Sequence, residues 1–178
     1  MTSLLGISGA LRIGSTNRKL IRCAAQFFAP DTFTEADLNL PLYDGDAEES
    51  DGIPTSVQLL ASQIARADAV VIATPEYNKA MSGVLKNALD WVSRTDGNPW
   101  KDKPVAIMSA AAGRAGGERA QFSLRLAMVP FRPNILQGPE VMIADSSNQF
   151  NANGTLVSDR YAKTLTELMV NLRAATAV

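Results

Sequence analysis

Leu4 to Leu20 reads LLGISGALRIGSTNRKL, and the order of its residue types decides the fold. A short apolar run, Leu4 to Ile7, gives way to a loop of Gly, Ser and Arg, and the loop opens into a helical pattern at Leu20 and Ile21. That is a buried strand, a tight turn and a helix start. Gly6 and Gly9 are expected to let the backbone turn sharply. Ser8, Ser15, Thr16 and Asn17 bring hydroxyl and amide groups, and Arg12 brings a permanent cation. Thr16 and Asn17 stand where the helix begins, so unpaired N–H groups and the positive end of the helix dipole point into the loop. Such a loop suits a phosphate. The plainer alternative is an ordinary strand–helix turn with a polar N-cap.

Two familiar nucleotide loops do not match. The dinucleotide fingerprint requires G-x-G-x-x-G, whereas the glycines here are Gly6, Gly9 and Gly14. The P-loop requires a Lys before its Ser or Thr, and Gly14 precedes Ser15. Hydroxyls, an amide and one Arg serve the three oxygens of a terminal phosphate monoester better than a pyrophosphate. The loop therefore points to a mononucleotide such as FMN.

The rest of the chain narrows the choices. Its 178 residues fit a single domain, 1–178, with no linker on which to divide it. A net charge of −1 gives no reason to expect nucleic acid or an anionic membrane as partner. No apolar run has the length of a membrane span, and Leu4 to Ile7 is too short for a signal peptide. The single Cys, Cys23, excludes an internal disulfide and is read as a buried, inert thiol in the first helix. A cytoplasmic protein is expected. There is no His, which excludes a Ser-His-Asp triad, a Cys-His pair and His-based zinc sites. No metal ligand set is expected. An enzyme with this composition would leave its reaction to a cofactor, or to carboxylates and Tyr.

Outward from the loop, strands and helices alternate. Leu20 to Phe28 keeps a helical stripe closed by Pro30, and Phe33 to Leu38 reads as a second strand with one face less covered. Asn39 to Gly52 carries Asp44, Asp46, Glu48, Glu49 and Asp51 and reads as a long solvated loop. A helix opens at Pro54, and Ala69 to Ala73, AVVIA, is a central parallel strand apolar on both faces. TPEYN, Thr74 to Asn78, breaks that strand, and Met81 to Arg94 is helical. Val105 to Ala110 is a fourth strand, AAGRAGG at Ala111 to Gly117 a flexible loop opening another helix, and Val141 to Ile143 a short fifth strand. Ser158 caps the last helix. This alternation gives an α/β, flavodoxin-like, doubly wound five-stranded parallel sheet of order 2-1-3-4-5 with helices on both faces. The loops after strands 1, 3 and 4 then meet at the switch point, where such sheets bind ligands.

Three blocks carry a family pattern: GALRIGSTN at Gly9 to Asn17, TPEYN at Thr74 to Asn78, and LKNALDWVSR at Leu85 to Arg94. Together they resemble the NAD(P)H-dependent FMN reductase family, which includes quinone, azo-dye and chromate reductases. The resemblance covers essentially the whole chain. It implies FMN as cofactor, NADPH or NADH as electron donor, and a phosphate held by the loop of Ser8, Arg12, Ser15, Thr16 and Asn17. It further implies that Pro75, Glu76, Tyr77 and Asn78 lie against the ring and ribityl chain. The loop bearing Ser109, Gly113 and Gly116 would close the other side. No catalytic side chain is required, since flavin N5 carries the chemistry. Two departures stand out: Ala10 replaces a Ser beside the second loop glycine, and Ser82-Gly83 replaces Pro-Gly.

The residues themselves allow plainer roles. Tyr77 can offer an aromatic wall or simply pack at the strand end, and Asn78 can cap the following helix. Glu76 can be read as a general acid, but one carboxylate without a partner is thin evidence for that role. Trp91 and Trp100 are read as core or interface. The expected activity is hydride transfer from NAD(P)H through FMN to a small acceptor (a quinone, azo dye, free flavin or metal oxyanion), the two substrates taking turns on one ring face. A flavodoxin-type electron carrier is the alternative, although such carriers are strongly acidic; a regulator that has kept the fold without flavin is a further one. The resemblance implies a homodimer or homotetramer, with the helix carrying Trp91 as the expected contact surface.

Overall fold

The computed structural model describes residues 1–177. Its six strands are β1 (Ser3–Ser8), β2 (Thr32–Glu35), β3 (Ala69–Thr74), β4 (Pro104–Ala110), β5 (Asn134–Ile135) and β6 (Val141–Ile143). The helices are α1 (Thr16–Phe28), α2 (Gly45–Asp51), α3 (Thr55–Arg66), α4 (Gly83–Val92), α5 (Glu118–Met128) and α6 (Asp159–Ala175). All strand pairs are parallel, in the order β2-β1-β3-β4-β5, with β6 also on β4. The expected order holds, with one refinement. The fifth position is shared by two short strands: β5 pairs with Pro104 and Val105, and β6 with Met108 to Ala110.

Strand alternation divides the core in two. Leu4, Val71, Ala73, Ala106 and Met108 face α1 and α6, whereas Leu5, Ile7, Val70, Ile72, Val105 and Ile107 face α3, α4 and α5. β3 is buried along its whole length, as a strand covered on both faces must be. α6 is tied to α1 by Arg173, whose Nη1 donates to the carbonyls of Phe28 and Ala29 at 2.6 and 2.8 Å where helical carbonyls lack intrahelical partners. Cys23 lies buried in α1, its Sγ 3.2 Å from the Gly154 carbonyl, and burial pushes its thiol up. No helix among the described residues is long and apolar enough to cross a membrane.

Three expectations need correction. The chain bends at Gly9 as expected, but not at Gly6. Gly6 lies within β1, where a Cβ would come within 2.8 Å of the Phe33 ring, so its missing side chain makes room for that ring.

The acidic segment is not a free loop. It contains α2, capped by Asp44, whose side chain accepts from Asp46 N. The Pro41 carbonyl accepts from both Asn87 Nδ2 at 2.9 Å and Trp91 Nε1 at 2.8 Å. Tyr43 N donates to Asn87 Oδ1 at 2.9 Å, and its ring meets Trp91 edge-on, centroids 5.0 Å apart. Arg94 Nε reaches both Glu48 oxygens at 3.0 Å.

Trp91 is therefore 1% exposed and offers nothing to a second subunit. Periodicity predicted the helix but did not show that the segment before α3 folds back over its indole.

Candidate functional site

The β1–α1 loop ends in a built helix cap. Ser15 is buried, with an extended backbone, and its Oγ accepts from Asn17 N at 3.2 Å. Lys19 N donates to the Ser15 carbonyl. The N–H groups of Thr16 and Arg18 find no protein acceptor among the described residues, as the first turn of a helix dictates. Arg12, in the same loop, is exposed, makes a 3.4 Å contact to the Gly14 carbonyl, and has no carboxylate partner among the described residues. Unmet helical N–H groups and an unpaired guanidinium in one loop are groups that could hold a phosphate.

The three loops do meet, held by named contacts. Gly9 N donates to the Ala73 carbonyl at 2.8 Å, and a Cβ on Gly9 would sit 2.9 Å from Ser82 Oγ and 3.3 Å from Pro75 Cδ. Glycine is required here for close approach of the first loop to the third. Ser82 is buried and its Oγ accepts from Leu85 N at 3.3 Å, capping α4. The departure from Pro-Gly thus sets how α4 starts. On the far side, Asn17 Nδ2 donates to the Ala110 carbonyl and Oδ1 accepts from Ala110 N, both at 2.9 Å. Asn17 is 2% exposed. Its side chain joins α1 to the end of β4 and is not free to reach a ligand.

Ser109 is occupied in the same way. Its Oγ donates to the Gly116 carbonyl at 2.6 Å and accepts from Gln121 Nε2 at 2.8 Å, fully buried. Gly116 has φ +60°, and a Cβ there would come within 2.7 Å of the Met142 carbonyl. Gly113, exposed at the tip of the loop, has nothing within 4 Å of a Cβ. Ser109 and Gly116 shape the loop; Gly113 borders open space.

After β3 the chain forms a two-residue hairpin. Tyr77 N donates to the Ala80 carbonyl at 3.0 Å and Ala80 N to that of Tyr77 at 3.1 Å. Between them Asn78 and Lys79 have φ +50° and +66°, the sign pattern of a type I′ turn. Tyr77 is 57% exposed, so it does not pack at the strand end, and Asn78 caps nothing, since Ser82 is the α4 cap. Pro75 is buried. Glu76 Oε2 accepts from Arg119 N at 3.1 Å and Ala120 N at 3.4 Å, placing a carboxylate on the first turn of α5. This fixes the third loop to the helix after the fourth.

Ser8 stands apart. Its Oγ is buried without a partner and faces a cavity of about 240 Å³ lined also by Ala10, Arg18, Glu35 and Asp37, on the β2 flank of the loop. A larger cavity, about 640 Å³, lies between α4 and Phe131 away from the loops. One wall of the site went unread in the sequence. Thr16 Oγ1 lies 3.3 Å from Ser146 Oγ, and Ser146 N donates to the Ala111 carbonyl, so the turn after β6 completes the rim. Ser-Ser-Asn in a polar stretch gives no distinguishing signal of that.

The sequence pattern of the NADPH-dependent FMN reductase family matches residues 2–148. The chain belongs to that family. Among its relatives, an NAD(P)H-dependent FMN reductase of Pseudomonas aeruginosa is 45% identical over 159 residues, 88% of this chain and 85% of that protein. A quinone reductase of Escherichia coli is 41% identical over 138 residues, 75% of this chain and 73% of the relative. The solved structure of FerB, a flavoenzyme NAD(P)H:(acceptor) oxidoreductase from Paracoccus denitrificans, superposes with a TM-score of 0.88. It is 29% identical and covers 99% of this chain and 98% of that one. The FMN reductase family consists of oxidoreductases, and this chain is one.

Proposed function

We propose that the protein passes reducing equivalents from NAD(P)H to a small acceptor through a bound FMN, the two substrates taking turns at one site. The observation that carries this is the convergence of the β1–α1 cradle, the Tyr77 hairpin and the Gly113 loop at the carboxyl ends of the central strands, in a chain of this family. FMN, when bound, supplies an N5 that accepts hydride from one substrate and yields electrons to the next.

The residues present fit such a group. The Thr16 and Arg18 N–H groups, Ser15 and Arg12 hold the phosphate. Pro75, Glu76 and Asn78 supply the backbone beside the ring, and Tyr77 an exposed aromatic face. Gly113 leaves the opposite loop without side-chain bulk. Asn17, Ser109 and Gly116 act one step back, by keeping these loops in place. No side chain need move a proton for hydride transfer, and Glu76 is occupied with α5. Quinones are the acceptors favoured, since the relatives include quinone reductases. A cytoplasmic location, where NAD(P)H is available, belongs to the same reading.

A homodimer is part of the same reading. With Trp91 buried, the exposed apolar stripe of Phe122 and Leu126 on α5, continued by Val129 just past its end (55%, 75% and 66% exposed), takes its place as the contact surface for a second copy. Light scattering at micromolar concentration tests it. Steady-state kinetics with NADPH and a quinone test the main reading: parallel double-reciprocal lines are expected. Intersecting lines would remove the shared site, and flavin that is bound but never reduced by NAD(P)H would leave an electron carrier.

A further inference from the structure

Lys79 is in an unfavourable place. It is the second central residue of the Tyr77–Ala80 hairpin, with φ +66°, the position where a type I′ turn favours glycine after asparagine. Asn78 suits its own position; Lys79 does not, because a β-carbon in the left-handed region clashes with the backbone. The turn keeps this conformation because both sides are fixed. The Tyr77–Ala80 hydrogen bonds close it, and Met81 N donates to Ser123 Oγ at 2.7 Å. Backbone strain at the rim of a site is an observation from which function can be argued.

The side chain this strain presents is an exposed ammonium with no carboxylate partner among the described residues. Arg114, at the exposed tip of the β4–α5 loop, is likewise unpaired there. The carboxylate of this hairpin, Glu76, is turned toward Arg119 and the first turn of α5. The two loops flanking the open side of the site thus each extend a free cation, while the acidic run from Asp44 to Asp51 is attached to α4.

We infer that Lys79 is a specificity residue for anionic reactants, drawing a phosphate- or sulfonate-bearing molecule to the open face beside Tyr77 and favouring it over an otherwise equal uncharged one. This deepens the proposed flavin reading and rests on it. The shared chemistry is an oxyanion on the incoming reactant, from the 2′-phosphate of the donor or from the acceptor.

The test uses the FMN-loaded wild type with Lys79→Gln, Lys79→Arg and Lys79→Gly. Stopped flow measures flavin reduction by NADPH and by NADH, then reoxidation by a neutral naphthoquinone and by its sulfonated analogue. In Lys79→Gln the rate constant for NADPH relative to NADH (which lacks the 2′-phosphate), for the sulfonated quinone relative to the neutral one, or for both should fall about threefold or more at low salt. That difference should vanish in about 0.5 M salt, where exposed charges are screened, and Lys79→Arg should restore it. Whichever arm responds identifies the source of the anion. Lys79→Gly should show the same loss of selectivity together with a raised melting temperature, because glycine relieves the turn. Rates unchanged from wild type for all reactants, or equal losses for reactants with and without the additional oxyanion, would overturn the inference with FMN binding intact. A wild type that takes up no FMN would overturn the flavin reading itself, and this inference with it.

Discussion

Asn17→Ala separates two roles that the sequence alone could not distinguish. If the side chain is the link between α1 and β4, truncation leaves the buried N–H and C=O of Ala110 without partners, both now satisfied at 2.9 Å. Each unmet group costs about 1–3 kcal/mol. Partial rescue by water entering the truncated site brings the expected loss to about 2–4 kcal/mol. For a domain of this size that corresponds to a melting temperature lowered by about 5–15 °C. The assay is thermal and urea unfolding of the flavin-free protein, so that cofactor binding does not enter. Asn17→Asp should also destabilise, since a carboxylate cannot donate to the Ala110 carbonyl. An Asn17→Ala protein that melts within a degree of wild type but binds FMN poorly would refute the reasoning. Asn17 would then be a phosphate ligand, as the family resemblance implied.

Arg12→Ala should weaken FMN binding about 10- to 150-fold by removing a charge-assisted contact, while riboflavin, lacking the phosphate, binds as before; equal losses for both in a fluorescence titration would make Arg12 a structural residue. Gly116→Ala should destabilise by about 3 kcal/mol or more, combining a left-handed alanine with overlap on Met142, whereas Gly113→Ala should stay within about 0.5 kcal/mol by urea unfolding. Burial raises the Glu35 carboxyl, but hydrogen bonds and charge from Arg22 and Arg18 outweigh it, so its pKa is lowered overall. Its contribution to stability is therefore present above the ordinary carboxylate pKa and lost as pH falls through the depressed value. Glu35→Gln should lower stability above about pH 6 and change little well below the ordinary carboxylate pKa, so the acid side of the stability profile flattens.

The strand order and the meeting of the three loops were legible because each depends on local pattern. AVVIA, short, β-branched and apolar throughout, reads as a strand buried on both faces, and the breaks at Ser8, Thr74 and after Ala110 all fall at carboxyl ends of parallel strands. Side-chain occupancy was not legible. Asn17 and Ser109 carry the donors expected of ligand contacts, yet each meets a backbone partner, Ala110 for Asn17 and Gly116 across the following loop for Ser109, and no residue pattern encodes that pairing. Gly6 was misread for a related reason: a glycine needed for cross-strand room at Phe33 looks the same in sequence as one needed for a turn. The fate of the acidic run turned on Asn87 and Trp91, whose helical spacing announces a helix face but not what lies on it.

The Pro41 carbonyl, shared by Asn87 and Trp91, makes the stretch through α2 an extension of α4 rather than a surface connection. Partial opening of a folded protein proceeds through cooperative units rather than single hydrogen bonds. The amides of α2, exposed and with few contacts of their own, should therefore exchange with solvent in step with those at the C-terminal end of α4. A segment that looks dispensable by exposure would then resist a protease for as long as the indole of Trp91 stays covered.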